Sequence, residues 1–264
     1  MYIDSHAHIE GKVFDADREA MLARARAAGL KWLLAIGNGE AAGSYGRALE
    51  YAGKYEWIYA STGLHPQDAR LASPEVYDEM ARLAQNKRLL AWGEIGLDYF
   101  YEKSGREVQR RVFVEQMELA RAAGKPIIIH CRPSDKSTDA WDEALELIEE
   151  HWRPTGLGGI LHCFTGGLTH ARRALDLGFL LSFAGNISYP SAGNIREAAG
   201  YVPRESFLIE TDCPYLAPIP HRGQRNEPAY VVETARVAGA QRGCTGEEAG
   251  RQAVENFERF FGLA

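Results

Sequence analysis

The chain is poor in cysteine and shows no cysteine pairing. Its four cysteines fall at no C-x-x-C or comparable spacing, which excludes a disulfide framework and a zinc site built on thiolates. No apolar run approaches the roughly 18 residues of a membrane span, so no membrane association is expected. The start of the sequence has no basic segment leading into an apolar one. No secretory signal is therefore expected, and the cytoplasm is the expected compartment. Low-complexity tracts and linkers are missing as well. The segment "DSHAHIEGK" after the first apolar run contains nothing like the G-x-G-x-x-G pattern of a dinucleotide-binding sheet. Positive charge is also short. A formal net charge of −6 argues against a general electrostatic grip on nucleic acid, while leaving room for a local basic lining around one cleft.

What is present is periodic. Over 264 residues, 45% hydrophobic and 25% charged, a strand pattern followed by a helix pattern recurs about every thirty residues. The strand candidates are "YIDSHAHI" (2–9), "WLLAIGN" (32–38), "WIYASTGLH" (57–65), "LLAWGEIGLD" (89–98), "PIIIHC" (126–131), "GGILHCF" (158–164), "FLLSFAGNI" (179–187) and "FLIETDCPY" (207–215). They are apolar on both faces, as parallel strands covered by helices must be. Between them lie amphipathic segments. Phe113, Met117 and Ala120 recur on one face before Gly124 and Pro126 stop the helix. Ser73 and Pro74 open another. Thr245 with Glu248 forms a capping box ahead of Ala249, Ala253, Phe257 and Phe260. Eight strand–helix units with no further domain's worth of chain predict a single (β/α)8 TIM barrel over residues 1–264.

In such barrels the chemistry sits at the C-terminal ends of the strands. Those ends carry His6 and His8, His65, Glu94 and Asp98, His130, His162, and Glu210 with Asp212. Strand alternation puts His6 and His8 on one face. Cys131, Cys163 and Cys213 each follow a candidate ligand by one residue and are expected to face the helical layer as small buried apolar groups. A lone histidine at a strand end is usually a hydrogen-bonded core residue. Six imidazoles and carboxylates converging on one mouth are too costly to bury unless something satisfies them. His6, His8, Glu94, His130, His162 and Asp212 are therefore predicted to hold two divalent cations, Mg²⁺, Mn²⁺ or Zn²⁺.

At these residues the chain resembles the TatD-type metal-dependent hydrolases, the TatD DNase family of the amidohydrolase-like barrels. The resemblance runs through "IDSHAHI", "GLHP" (63–66), "GEIGLDY" (93–99), "KPIIIHCR" (125–132), "LHCFTG" (161–166), "IETDCPYLAP" (209–218) and "RGQRNEP" (222–228). It implies hydrolysis of phosphodiester bonds in DNA. One cation would be held by His6, His8, Glu94 and Asp212, and the other by Glu94, His130 and His162, with Glu94 bridging. The sequence departs from the pattern at Pro133 and Ser134, and at Gln224, where a lysine is common.

Two adjacent divalent cations lower the pKa of a bound water to about 7 and offset charge building on phosphate oxygens. Asp212 is then the natural proton acceptor, beside Glu94 as bridge and His65 as a donor to the phosphate or an orienter of a ligand. Glu210 and Asp98 are candidates for orienting ligand histidines. Arg132, Arg222 and Arg225, each in a loop after a strand end, are expected to contact phosphate. The backbone of "FTGG" (164–167) could take a phosphate oxygen, and Tyr99, with Phe100 and Tyr101, offers stacking surfaces for unpaired bases. Deep metals favour single-stranded or frayed DNA over intact duplex. The rival expectation is an amidohydrolase or phosphoesterase acting on a small metabolite. No obligate protein partner is expected, and a monomer is the default.

Overall fold

The structure, a computed structural model, describes residues 1–39 and 41–263. Its strands are β1 (Tyr2–Ala7), β2 (Leu30–Ala35), β3 (Ile58–Thr62), β4 (Leu89–Asp98), β5 (Ile127–Arg132), β6 (Gly159–Leu161), β7 (Phe179–Phe183) and β8 (Phe207–Ile209), in one sheet in chain order. The helices are α1 (Arg18–Ala27), α2 (Arg47–Lys54), α3 (Pro74–Leu83), α4 (Arg106–Ala122), α5 (Asp139–Leu147), α6 (Leu168–Asp176), α7 (Gly193–Tyr201), α8 (Val231–Gln241) and α9 (Gly246–Phe261). Parallel strands alternating with helices make this a (β/α)8 barrel. No helix among the described residues is long and apolar enough to cross a membrane.

The local signals behave as their chemistry dictates. Ser73 Oγ accepts from Val76 N–H at the start of α3, and the Thr245–Glu248 capping box closes reciprocally at the start of α9. Phe113, Met117 and Ala120 are buried, and Gly124, in the left-handed region at φ 62°, ends that stretch. On α9, Ala249, Ala253 and Phe257 are buried, whereas Phe260 is only half-buried and Asn256 takes the inner place.

β4 ends at Asp98, as its apolar run suggests, and β5 runs one residue further, to Arg132, but the other strands stop short of theirs. β6 stops at Leu161 and β8 at Ile209, because Cys163 (φ 43°) and Asp212 (φ 54°) adopt left-handed backbone that no ladder accommodates. β3 and β7 give way to tight helical turns at Pro66 and Gly185. The chemistry-bearing residues of these segments thus lie in loops just past the ladder.

The chain forms two compact units. The first comprises Met1–Ala35, His162–Ala171 and the chain from Leu180 on. Here β1 is bonded to the segment beyond β8, through Asp212 N–H to His6 O (2.9 Å) and His8 N–H to Cys213 O (2.9 Å). Asn256 of α9 donates to Phe207 O (2.8 Å) and Arg204 O (2.7 Å), fixing where β8 begins.

The second unit comprises Ile36–Leu161 and Arg172–Phe179. The buried face of its helix α4 carries two glutamines two turns apart. Gln116 accepts from Leu64 N–H (2.8 Å) and donates to Leu64 O (2.9 Å). Gln109 accepts from Asp98 N–H (2.7 Å) and donates to Asp98 O (2.9 Å). Each amide therefore pins the backbone beside a candidate site residue. β4 and β5 approach so closely that a Cβ at Gly96 (φ 137°) would lie 2.0 Å from His130 O.

Gly96→Ala combines that clash with a backbone only glycine adopts readily, a cost of at least about 1–3 kcal/mol. The expected outcome is a melting temperature lower by about 5 °C or more in thermal circular dichroism. An unchanged melting temperature would mean that β4 and β5 can separate locally without penalty.

Candidate metal centre

The first unit brings together His6, His8 and Asp212. His8 Nε2 lies 3.5 Å and His6 Nε2 3.9 Å from Asp212 Oδ1. These separations are too long for hydrogen bonds. They resemble the spacing of about 3.4 Å expected between donors sharing one tetrahedral ion at bonds of about 2.1 Å. Two imidazoles and a carboxylate also form a donor set suited to a borderline divalent cation.

Asp212 reaches this place because Asp4 holds the segment before it. Asp4, fully buried, accepts from Thr211 N–H (2.9 Å) and His6 N–H (3.3 Å), and its second oxygen meets the Thr211 hydroxyl (2.5 Å). Burial pushes the Asp4 carboxyl up to about 8, against the pull of the hydrogen bonds from Thr211. Asn226, also buried, braces the same loop from outside by donating to Thr211 O (2.8 Å) and Tyr215 O (2.6 Å).

His162 stacks on His6 with ring centroids 3.7 Å apart. Its Nδ1 faces Glu210 Oε1 at 3.2 Å. Glu210 also accepts from Cys163 N–H (2.6 Å) and is completely buried. A carboxylate at Nδ1 fixes the proton there and leaves Nε2 as the lone-pair nitrogen, the usual way a ligand imidazole is oriented.

The second unit brings together His65, Glu94 and His130, with one donor atom from each lying within 4.8 Å of the others. Glu94 is 2% exposed. Asn38 donates to Glu94 Oε2 (2.9 Å) and accepts from Glu94 N–H (3.3 Å). His130 Nε2 faces Asp98 Oδ2 (3.2 Å), and its Nδ1 lies 2.8 Å from Glu94 Oε1. With the proton placed on Nε2 by Asp98, the Nδ1 lone pair confronts a carboxylate oxygen. That approach needs a positive charge between them, a second ring proton or a cation.

Asp98 is held well below the usual carboxylate range. Burial opposes its charge, but His130, the Tyr101 N–H and Gln67 together outweigh that cost. His65 differs from its neighbours: its Nδ1 accepts from Gln67 N–H (3.1 Å). Burial is the main force lowering its pKa. A neutral ring that accepts at Nδ1 carries its proton on Nε2, which lies 3.6 Å from Glu94 Oε1. His65 is thus arranged as a donor rather than a ligand.

The expected substrate contacts divide. The Arg132 guanidinium lies over the rings of Phe100 (4.1 Å) and Tyr101 (4.7 Å), and Arg222 over Tyr189 (4.3 Å). Arg225, expected to meet phosphate, instead pairs with both oxygens of Asp17 (2.8 and 2.7 Å) and donates to Val13 O. Arg225 and Arg24 together hold the Asp17 carboxyl far below its usual range, so this arginine is a strut to the start of α1. Tyr99, expected to stack on bases, is 3% exposed, bonded through its hydroxyl to Glu143 and covered by Arg106. Phe100 (47%) and Tyr101 (53%) are the exposed rings of that stretch. The Gly167 N–H at the start of α6 is already taken by His170 Nδ1 (3.2 Å).

Cys131 and Cys213 are buried, with thiols pushed well up by that burial, which suits inert packing groups. Cys163, expected to be buried like them, is half-buried. Its left-handed backbone takes it out of strand alternation.

The site contains residues the sequence reading passed over: Asp4, Asn38, Gln67, Gln109, Gln116, Thr211 and Asn226. Asn38 closes a strand candidate, and Asp4 interrupts an apolar run, so each carried a signal. The glutamines stood on a helix whose apolar face masked them.

Comparison with known proteins agrees with this geometry. The sequence model of the family described as TatD related DNase matches residues 3–262. The chain is 36% identical over 261 residues to the uncharacterized metal-dependent hydrolase YabD of Bacillus subtilis, covering 99% of both chains. It is 31% identical over 265 residues to the 3'-5' ssDNA/RNA exonuclease TatD of Klebsiella pneumoniae, covering 98% of this chain and 97% of that protein. Among solved structures it is similar to YJJV, a TatD homolog from Escherichia coli K12, with a TM-score of 0.89, 29% identity, and coverage of 100% of this chain and 98% of that one.

Removing the support for Asp212 should loosen metal binding without unfolding the chain. Asp4→Ala and the near-isosteric Thr211→Val are expected to weaken Zn²⁺ or Mn²⁺ affinity about 10- to 100-fold by titration calorimetry. Asp4→Asn, which keeps an oxygen for the Thr211 N–H, should retain most of it. Equal affinity in all three variants would show that Asp212 holds its place unaided.

Proposed function

The chain belongs to the TatD related DNase family of metal-dependent hydrolases, and from that membership we propose a divalent-metal-dependent deoxyribonuclease that hydrolyses phosphodiester bonds of single-stranded or frayed DNA. Residues 1–264 are read as one catalytic domain. The observation that carries the reading is the pair of ring-backed arginines in a protein of net charge −6. Among the described residues neither Arg132 nor Arg222 is ion-paired, so each keeps its charge for an anionic substrate. The name of the Klebsiella pneumoniae relative, an exonuclease of ssDNA and RNA, supports an unpaired strand.

The metal ligands in this reading are His6, His8, Glu94, His130, His162 and Asp212, with Glu94 shared. Two divalent cations there supply Lewis-acid charge and a water of lowered pKa. Asp212 uses Oδ1 toward His6 and His8, and its Oδ2 accepts the proton of the attacking water. His65 donates Nε2–H to a non-bridging phosphate oxygen as charge gathers there. Asp98 and Glu210 keep His130 and His162 in the tautomers that ligation needs.

The test is cleavage of end-labelled single-stranded DNA by metal-stripped protein resupplied with Mg²⁺, Mn²⁺ or Zn²⁺. Metal-dependent cleavage is expected, and Glu94→Gln should abolish it. His65→Ala should lower kcat about 10²- to 10³-fold with metal content unchanged; loss of bound metal would make His65 a ligand instead. No cleavage with any cation, while two metals remain bound, would sink the nuclease reading and point to a small phosphoester or a C–N bond.

A further inference from the structure

The turn after β4 presents two exposed rings beside a guanidinium that, among the described residues, is in no ion pair. Phe100 and Tyr101 stand edge to face, centroids 5.0 Å apart, and Arg132 lies over both, at 4.1 and 4.7 Å. Every other arginine of this neighbourhood is neutralised: Arg106 pairs with Glu102 and Asp139, and Arg110 with Glu143. A guanidinium whose face rests on aromatic rings keeps its N–H edge for a planar or tetrahedral anion.

The cluster is also rigidly mounted. Asp98 Oδ1 accepts from the N–H groups of Phe100 (3.1 Å) and Tyr101 (2.9 Å), while Tyr99 N–H bonds Arg132 O (2.8 Å). Below the exposed pair, Tyr99 is buried and tied to Glu143. The backbone that carries the rings is therefore fixed before any ligand arrives, which limits the entropy lost on binding. The other oxygen of Asp98 faces His130 Nε2 at 3.2 Å, so one carboxylate carries both the aromatic turn and a candidate metal ligand.

We propose that Phe100, Tyr101 and Arg132 form a nucleotide subsite in which an unpaired base stacks on the exposed rings and the adjoining phosphate takes the N–H edge of Arg132. The inference rests on the nuclease reading and adds to it the requirement for a base at one position next to the scissile bond. The occupant has to be an unpaired aromatic heterocycle joined to a phosphate. Stacking needs a free π-face, which a paired base does not offer, and the uncompensated guanidinium needs an anion beside it. Because the rings read only a π-face, the subsite tolerates any base and rejects an abasic unit.

The test measures binding separately from cleavage. Fluorescein-labelled hexathymidylate and counterparts carrying one abasic residue at each position in turn are titrated against the full-length protein by anisotropy. The same oligonucleotides are assayed for cleavage with Mn²⁺. One abasic position is expected to weaken binding to the wild type about fivefold or more, and the Phe100→Leu/Tyr101→Leu variant should erase that difference. Arg132→Gln should lower the log–log salt slope by about 0.7, one phosphate's share on a single strand. Arg132→Lys should not restore full affinity, because lysine lacks the flat stacking face.

A difference that persists in the double variant, or no difference at any position, would overturn the subsite. Cleavage without any base dependence would remove the subsite and leave the nuclease. Base-dependent binding without cleavage would do the reverse. Both exposed rings can be replaced without opening the core, and a melting curve for each variant checks that the fold is intact.

Discussion

The hydrogen bonds between buried Asp4 and Thr211 decide where Asp212 stands. β8 has only three residues, Phe207–Ile209, and beyond them no ladder remains to direct the chain. The Asp4 carboxyl replaces the missing strand partner. It takes the Thr211 N–H that a neighbouring strand would have taken, and the Thr211 hydroxyl as well, so the next residue can turn to φ 54° and aim its carboxylate at His6 and His8. Asp212 N–H to His6 O, and His8 N–H to Cys213 O, complete the attachment. Burying an acid this deeply is costly, as its raised pKa records. The cost is tolerable because both oxygens are satisfied.

The second unit solves the same problem with amides instead of an acid. Glu94, His130 and Asp98 project from long strands, but His65 and the aromatic turn belong to connecting loops. Gln116 grips Leu64 by both backbone groups, and Gln109 does the same at Asp98. A glutamine can donate and accept at once, so one side chain substitutes for a complete strand partner. Both glutamines sit on α4 two turns apart, which makes that helix a rigid ruler between the two loops. Gly96 then lets β5 close on β4 near enough for His130 to reach both Glu94 and Asp98.

The same devices explain what could be read from the sequence. Strand–helix alternation and the polar strand ends were legible because burial on both faces and a cluster of imidazoles and carboxylates are each visible in the composition of a single sequence. The structure brings His6, His8 and Asp212 together in one unit and Glu94 and His130 in the other. The ends of β6 and β8 were not legible, since "LHCF" and "FLIETDCPY" remain apolar enough to read as strand while Cys163 and Asp212 turn left-handed. Arg225 and Arg222 stand three residues apart in one loop and look alike in sequence. Only the fold shows that Asp17 neutralises the first and a tyrosine ring backs the second. Tyr99 and Tyr101 differ for a related reason. Tyr99 is drawn into the interior by Glu143, which lies on another element.

These distinctions bear on how, in the proposed nuclease, an acidic protein would handle an anionic strand. Several arginines are consumed as struts: Arg24 and Arg225 with Asp17 and Glu227, Arg106 with Asp139, Arg110 with Glu143. Each pair fixes a loop but adds nothing to the local field, because its charges cancel within a few ångströms. The donor sets themselves are acidic, with Asp212 in one unit and Glu94 beside Asp98 in the other, and without cations they would repel a phosphodiester. In the proposed nuclease, attraction would come from cations held by those carboxylates, together with the few guanidinium groups that rest on rings rather than on acids. Backing an arginine with Phe100, Tyr101 or Tyr189 holds it in place while preserving its charge. A carboxylate would have held it equally well and cancelled that charge.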